Sequence, residues 1–164
     1  MYKLIINMMN SKFTPNDEWY TTRKIWESVT HFIPKDKIIW ECFHSDNSKS
    51  AAHLRSLGHE VVWEDCDFFT NDYGDILVSN LPFSKKKEVL TRLKQLNKPF
   101  IMIYPTQSLQ TKFFKDLFKD DKLQIIFPSE KLHYEGASKH SKGASFYTCF
   151  ICYKMGFEKD VYFI

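Results

Sequence analysis

Four consecutive residues, Asn80 to Phe83, carry groups that could bind an amino group on a flat ring. Such an amine is a poor nucleophile because its lone pair is delocalised into the ring. The amide oxygen of Asn80 and the backbone carbonyl of Leu81 could accept both amine hydrogens, which favours the pyramidal geometry needed for attack. Pro82 has no N–H and a fixed φ, so the turn is rigid. Phe83 offers a face on which an extruded base can stack.

The elements around this motif predict an α/β sandwich. The motif follows an apolar strand, Asp75 to Ser79, and further apolar runs alternate with helical patterns. Apolar rather than alternating strands indicate a mainly parallel sheet, and two final strands without a helix between them indicate an antiparallel pair at the C-terminal edge. The predicted strands are 37–41, 60–63, 75–79, 100–104, 123–127 and 146–153; the predicted helices are 19–30, 51–57, 85–96 and 108–118.

The predicted sheet brings three segments to one rim. Ligands bind beyond the carboxyl ends of strands in such a sheet. The turn after Glu41, the acidic and aromatic stretch after Trp63, and Asn80 to Phe83 all follow strands. We therefore expect them to meet at one site.

The segment from Asp75 to Phe83 resembles the catalytic motif of class I S-adenosylmethionine-dependent amino-methyltransferases, written [DNS]-[PLI]-P-[YFW]. Leu at the second position is familiar from ribosomal RNA adenine dimethyltransferases. The resemblance implies a Rossmann-like class I methyltransferase sandwich. It also implies that Asn80 and Leu81 hold the target amine, that Pro82 shapes the turn, and that Phe83 stacks on the base.

Other segments resemble the cofactor motifs of the same family, in the order typical of gamma-type DNA methyltransferases. Together they imply S-adenosylmethionine as cofactor. Glu41 could grip its amino group, or could be a strand-end carboxylate in a salt bridge. Ser45 and Asn47 stand where the family usually has glycine. The implied cofactor-binding residues are Phe13, Thr14, Pro15, Glu41, Phe43, Ser45, Asn47, Glu64 (ribose hydroxyls), Asp67 and Phe68 (adenine).

Basic residues suggest where a nucleic acid could bind. The net charge is only +3, so such contacts would come from local patches. Lys85, Lys86 and Lys87 follow Phe83 directly and could reach phosphates beside a bound base. Lys139 and Lys142 form a second patch in the tail loop. A plain solvated face is the alternative interpretation of both.

Several classes of protein are disfavoured by the sequence. Cys149 and Cys152 have CxxC spacing but lie within an apolar run, so we interpret them as buried thiols rather than a redox or metal site. No signal peptide or membrane-spanning run is evident, so we expect a soluble, intracellular protein of cytoplasm or nucleus. Residues 1–164 are expected to form one domain without a target-recognition domain, so we expect a partner subunit or a homodimer to supply target recognition, or else a structured RNA target or relaxed specificity.

The leading hypothesis is methyl transfer to an exocyclic amine, adenine N6 of DNA or RNA. The first alternative is a catalytically silent methyltransferase-like binding module or subunit that has lost its cofactor; the replacements at Ser45 and Asn47 are its main support. Methylation of a protein Gln or Asn amide is a third possibility.

Overall fold

The computed structural model describes residues 19–43, 49–64, 66–136 and 146–164. Helices and strands alternate along most of this length. The strands are β1 (Trp19–Tyr20), β2 (Ile39–Trp40), β3 (Val61–Val62), β4 (Ile76–Asn80), β5 (Phe100–Pro105), β6 (Leu123–Phe127), β7 (Glu135–Gly136), β8 (Thr148–Tyr153) and β9 (Val161–Phe163). The helices are α1 (Arg23–Val29), α2 (Lys49–Ser56), α3 (Lys86–Leu96) and α4 (Lys112–Phe118), with 3-10 turns at Thr30–Phe32, Phe83–Lys85 and Thr106–Gln110.

Seven strands form one sheet in the order β3-β2-β4-β5-β8-β6-β9. The first four are parallel, β8 is antiparallel to both β5 and β6, and β9 is parallel to β6. The predicted α/β, Rossmann-like sandwich is confirmed, as is the antiparallel pairing of the last two predicted strands. The pair does not end the sheet, because β9 adds a strand outside β6.

Helices cover both faces of the sheet, and each face has its own core. Helices α1 and α2 pack on one face through residues that include Trp26 and Leu54. Helices α3 and α4 pack on the other through residues that include Leu90 and Phe114. The central strands β4 and β5 are buried almost throughout, which explains why their sequences are continuously apolar.

The first helix begins later than predicted. Trp19 and Tyr20 form β1, which pairs with β7 in a separate two-stranded sheet. Helix α1 therefore starts at Arg23, after Thr22. The prediction of a helix from Trp19 was wrong because pairing with a segment more than a hundred residues away overrides the local helical spacing. Trp26, further along, is helical and buried.

Strand β9 is held by a buried side chain as well as by its backbone. Gln124 of β6 is buried, and its amide nitrogen donates to the carbonyls of Phe157 (2.6 Å) and Lys159 (2.9 Å). These bonds fix the loop that leads into β9.

No helix in the described part of the chain is long and apolar enough to cross a membrane.

Candidate functional site

The order of the strands creates a topological switch point at the carboxyl ends of β2 and β4. The chain runs from β2 outward to β3 and then crosses back to β4 on the other side of β2. Connections therefore leave β2 and β4 in opposite directions. Ligands of open α/β sheets bind at such a switch point. The segments that begin at Glu41 and at Asn80 both start here, as expected from the sequence.

Asn80 is the last residue of β4 and pairs with Ile103 of β5. Its side chain is half-buried, and its Oδ1 atom is buried without a hydrogen-bond partner among the described residues. A buried acceptor that lacks a donor costs about 1–3 kcal/mol. The site therefore contains an oxygen that would be stabilised by an N–H donor from a ligand.

The turn after Asn80 is fixed by packing and by proline. Leu81 is only 2% exposed. Pro82 has φ −67° and ψ 118°, and its carbonyl accepts from the backbone N–H of Lys85 at 3.2 Å. The backbone that carries the Leu81 carbonyl is thus anchored on both sides.

Aromatic rings line this part of the rim. The ring of Phe83 is half-buried and packs edge-on against Phe146, with centroids 5.0 Å apart and an interplanar angle of 78°. Phe146 also contacts Tyr134, at 6.4 Å between centroids. The Tyr134 hydroxyl lies 2.6 Å from that of Thr148. Burial raises the pKa of Tyr134, so its phenol is neutral near pH 7. The Phe83 ring therefore packs against an aromatic pair of the protein, through Phe146.

Glu41 follows β2 at the same switch point and is only 1% exposed. Its Oε1 atom accepts from the hydroxyl of Ser79 and from the backbone N–H of Phe43 at 3.1 Å. Its Oε2 atom accepts from the hydroxyl of Ser50 at 2.6 Å. The Ser50 hydroxyl in turn accepts from the indole of Trp26 at 2.8 Å. The carboxylate thus joins the ends of β2 and β4 to the first turn of α2.

The other described cofactor candidates differ in exposure. Glu64, beyond β3, is exposed. Phe43 is half-buried, whereas Phe68 is buried with its ring 4.6 Å from that of Phe43 and 5.7 Å from that of Trp40. Asp67 Oδ1 accepts from the backbone N–H of Phe69 at 2.9 Å. Glu64 and Phe43 are therefore accessible to a ligand. Phe68 instead packs in the core, and Asp67 accepts a hydrogen bond from the protein backbone.

Several predicted site residues lie outside the described residues. They are the cofactor candidates Phe13, Thr14, Pro15, Ser45 and Asn47, and the nucleic-acid candidates Lys139 and Lys142.

The three lysines after Phe83 take different positions. Lys85 is half-buried in the 3-10 turn. Lys86 donates to the hydroxyl of Ser108 at 3.0 Å, and the Lys87 ammonium lies 5.8 Å from the ring centroid of Phe113. Lys86 and Lys87 are therefore directed along the face that carries α4, and their contact with phosphate stays a prediction.

The cysteines are not arranged for redox or metal chemistry. Cys149 and Cys152 pack in the cores on opposite faces of the sheet, so they cannot meet each other. Burial raises the pKa of Cys149 to about 12. Burial and the neighbouring charge of Glu41 raise the pKa of Cys42. The prediction of buried thiols at Cys149 and Cys152 is confirmed, and no group of metal ligands exists within the described residues.

Two contributors to this site were not identified from the sequence. Ser79 was predicted only as a strand residue, although it immediately precedes Asn80. Phe146 was predicted only as the start of a strand, although it contacts Phe83. A small polar residue inside an otherwise apolar strand was a usable signal for Ser79, because buried hydroxyls need partners. For Phe146 no local signal exists.

Comparisons with known proteins assign no family. No family model and no curated protein matches the chain. A solved structure from Thermoplasma acidophilum, described as a "putative methyltransferase", aligns with 87% of this chain at 13% identity and a TM-score of 0.38. The chain spans 65% of that structure's length. A likeness at this level supports no assignment of activity.

Proposed function

We propose that this protein transfers a methyl group from S-adenosylmethionine to an exocyclic amino group, adenine N6 of DNA or RNA. The observation that carries the proposal is the buried, unpartnered Oδ1 atom of Asn80 at the carboxyl end of β4. The oxygen lies at the switch point of the sheet, where ligands of this fold class bind.

The Asn80 oxygen suits an amine better than a carbonyl or a phosphate. It is an acceptor only, so it requires a donor. With the backbone carbonyl of Leu81 it supplies two acceptors on consecutive residues. Two hydrogen bonds to one NH₂ group would pull it out of conjugation and expose its lone pair. A site built this way activates the amine by geometry, without a strong base.

Phe83 supports a planar substrate. Phe146, which itself packs near Tyr134, contacts its ring, and this packing reduces the entropy lost when a base stacks on it. Stacking of one base on an aromatic side chain contributes about 1–3 kcal/mol. That gain is of the size needed to hold a base outside its own stack.

The cofactor's expected neighbours are partly within the described residues. The exposed carboxylate of Glu64, beyond β3, suits ribose hydroxyls, and the half-buried ring of Phe43 suits an apolar part of the cofactor. When bound, S-adenosylmethionine would supply a methyl group on an activated sulfonium: the N–C bond would form as the S–C bond breaks, the neutral thioether S-adenosylhomocysteine would leave, and the methylated amine would lose one proton to solvent. The chain's own residues would orient the amine for this step.

A catalytically silent binding module is the second candidate, and Glu41 favours it. Each oxygen of this carboxylate already accepts hydrogen bonds from the protein. Because the Glu41 carboxylate already holds β2 and β4 together, the contact expected between Glu41 and the cofactor's amino group would be weakened or lost.

The decisive experiment is mass spectrometry of nucleosides from DNA and RNA incubated with the protein and isotopically labelled cofactor. We expect label in N6-methyladenosine or its deoxy form. Asn80→Ala should lower incorporation about 100-fold or more, while calorimetric affinity for S-adenosylmethionine stays within about two- to three-fold of wild type, because the Asn80 side chain holds the substrate amine. Asn80→Asp keeps an acceptor oxygen and should retain more activity than Asn80→Ala.

Two results would overturn the proposal. Substantial turnover by the Asn80→Ala variant would remove Asn80 from the mechanism. No detectable heat with S-adenosylmethionine at high concentration, together with no label in any nucleoside, would favour the silent module.

A further inference from the structure

Tyr147 is an exposed aromatic residue at the rim of the candidate site. It is 65% exposed, whereas the preceding residue, Phe146, is half-buried against Phe83. The Tyr147 carbonyl accepts from the backbone N–H of Thr106 at 3.0 Å, just beyond the end of β5. Its backbone is therefore fixed to the sheet, so the exposed ring has a defined position next to Phe146.

A positive charge accompanies the Tyr147 ring. The Lys131 ammonium lies 5.3 Å from the ring centroid. Because this ammonium lies over one face of the ring, a base would stack on the opposite face while the charge faces a phosphate, which is the combination with which proteins bind single-stranded nucleic acids.

The position of Tyr147 relative to Phe146 suggests which nucleotide it would meet. Phe146 packs with Phe83, where the target base is proposed to stack. Tyr147 is the next residue and lies in solvent. Tyr147 is thus beside the proposed pocket without being part of it.

We propose that Tyr147 and Lys131 form a stacking platform for an unpaired nucleotide that flanks the target base. The inference rests on the proposed function, since it takes the base amine to be held at Asn80. A flanking base in a duplex is already paired and stacked, so it gains little from Tyr147. An unpaired base gains the stacking in full. The preferred substrate is therefore a single strand or an unpaired loop rather than a duplex.

The test measures binding by fluorescence anisotropy. The labelled probes are adenine-containing single-stranded RNA, single-stranded DNA and duplex DNA of about 12 nucleotides, within the usual site sizes. The variants are Tyr147→Ala, Tyr147→Phe and Lys131→Gln. Lys122→Gln is the matched control, because Lys122 is an exposed lysine that precedes β6, at the opposite end of the sheet.

We expect Tyr147→Ala to weaken single-strand binding about five-fold or more, and Tyr147→Phe to stay within about two-fold of wild type because it keeps the ring. Lys131→Gln should weaken binding and reduce its salt dependence. The affinity of Lys122→Gln for single strands should match that of wild type. The affinities of the variants for duplex DNA should also change little. The thermal midpoint of Tyr147→Ala should match that of wild type, since an exposed side chain contributes little to folding. Comparing the RNA and DNA probes shows which strand is preferred.

Unchanged single-strand affinity in Tyr147→Ala, equal affinity of the wild type for single strand and duplex, or no binding of any probe would each overturn the platform. Methyl transfer to the same probes is measured separately. Transfer that is insensitive to Tyr147→Ala would reject the platform and leave the proposed function standing. Binding that depends on Tyr147, without transfer to any probe, would leave the platform standing and reject the enzyme.

Discussion

The hydroxyl of Ser79 donates to the carboxylate of Glu41 across the ends of β4 and β2. Ser79 immediately precedes Asn80, and Glu41 also accepts from the backbone N–H of Phe43. One buried carboxylate therefore sets the relative positions of the proposed amine-binding turn and of the segment that begins the proposed cofactor loop. The network explains why a buried acid is retained in an apolar core.

Two substitutions of Glu41 should show how much its hydrogen bonds contribute to the free energy of unfolding. Glu41→Ala leaves buried donors unsatisfied and should lower the free energy of unfolding by about 3 kcal/mol. Glu41→Gln keeps one acceptor oxygen and should cost about 1 kcal/mol. Urea denaturation measures both. Equal losses in the two variants would show that the hydrogen bonds to the carboxylate do not carry its contribution.

Phe83→Leu should keep the apolar packing against Phe146 but remove the flat face. We expect transfer to a nucleic-acid substrate to fall about ten-fold or more, with little change in stability. Phe83→Tyr retains the ring and is the control, so its transfer rate should stay near that of wild type. Single-turnover assays with both variants check this. If Phe83→Leu is as active as wild type, base stacking on this ring is excluded.

Gly74→Ala should be strongly destabilising. Gly74 has φ +59°, and a Cβ there would lie 2.8 Å from the carbonyl oxygen of Ile38 and 3.0 Å from the backbone nitrogen of Trp40. Gly156 is the matched control, with φ +71° and nothing within 4 Å of its Cβ position. Gly156→Ala should cost about 1 kcal/mol for the backbone alone, and Gly74→Ala about 2 kcal/mol or more. Thermal denaturation of both compares them, and similar losses would show that the close approach to β2 is easily relieved.

Stability should decrease as the pH falls below about 6.5 because of His59. Burial, and then the charge of Lys35, lower the pKa of this side chain. Its Nε2 atom lies 3.1 Å from the Lys35 ammonium and 2.9 Å from the Thr30 hydroxyl, as suits a neutral ring. Between the lowered pKa and about 6.5 the unfolded chain binds a proton that the folded chain does not, so the contribution of His59 is complete above 6.5 and is lost on acidification.

His59→Gln does not titrate and should flatten that part of the pH profile. Denaturant midpoints of wild type and variant at pH 7.5 and 5.5 (chosen as about one unit either side of the ordinary histidine pKa) give the comparison. A wild-type profile that is as flat as that of the variant would contradict the prediction.

The sequence by itself determined the class of the fold and the place of the motif. Continuous apolar runs separated by helical spacing are local properties, and they predicted the α/β sandwich, the parallel strands and the position of Asn80 at a strand end. The helix predicted from Trp19 shows the limit of such patterns, because β1 forms only through its pairing with β7.

The tertiary structure alone decided which residues share the site. Glu41 and Ser79 are 38 positions apart and meet because β2 and β4 are neighbours in the sheet. Phe146 reaches Phe83 because β8 inserts between β5 and β6. Strand β9 depends on the buried amide of Gln124, more than thirty positions earlier. Each of these contacts follows from strand order, which long-range burial and backbone pairing set and which no local pattern of residues encodes.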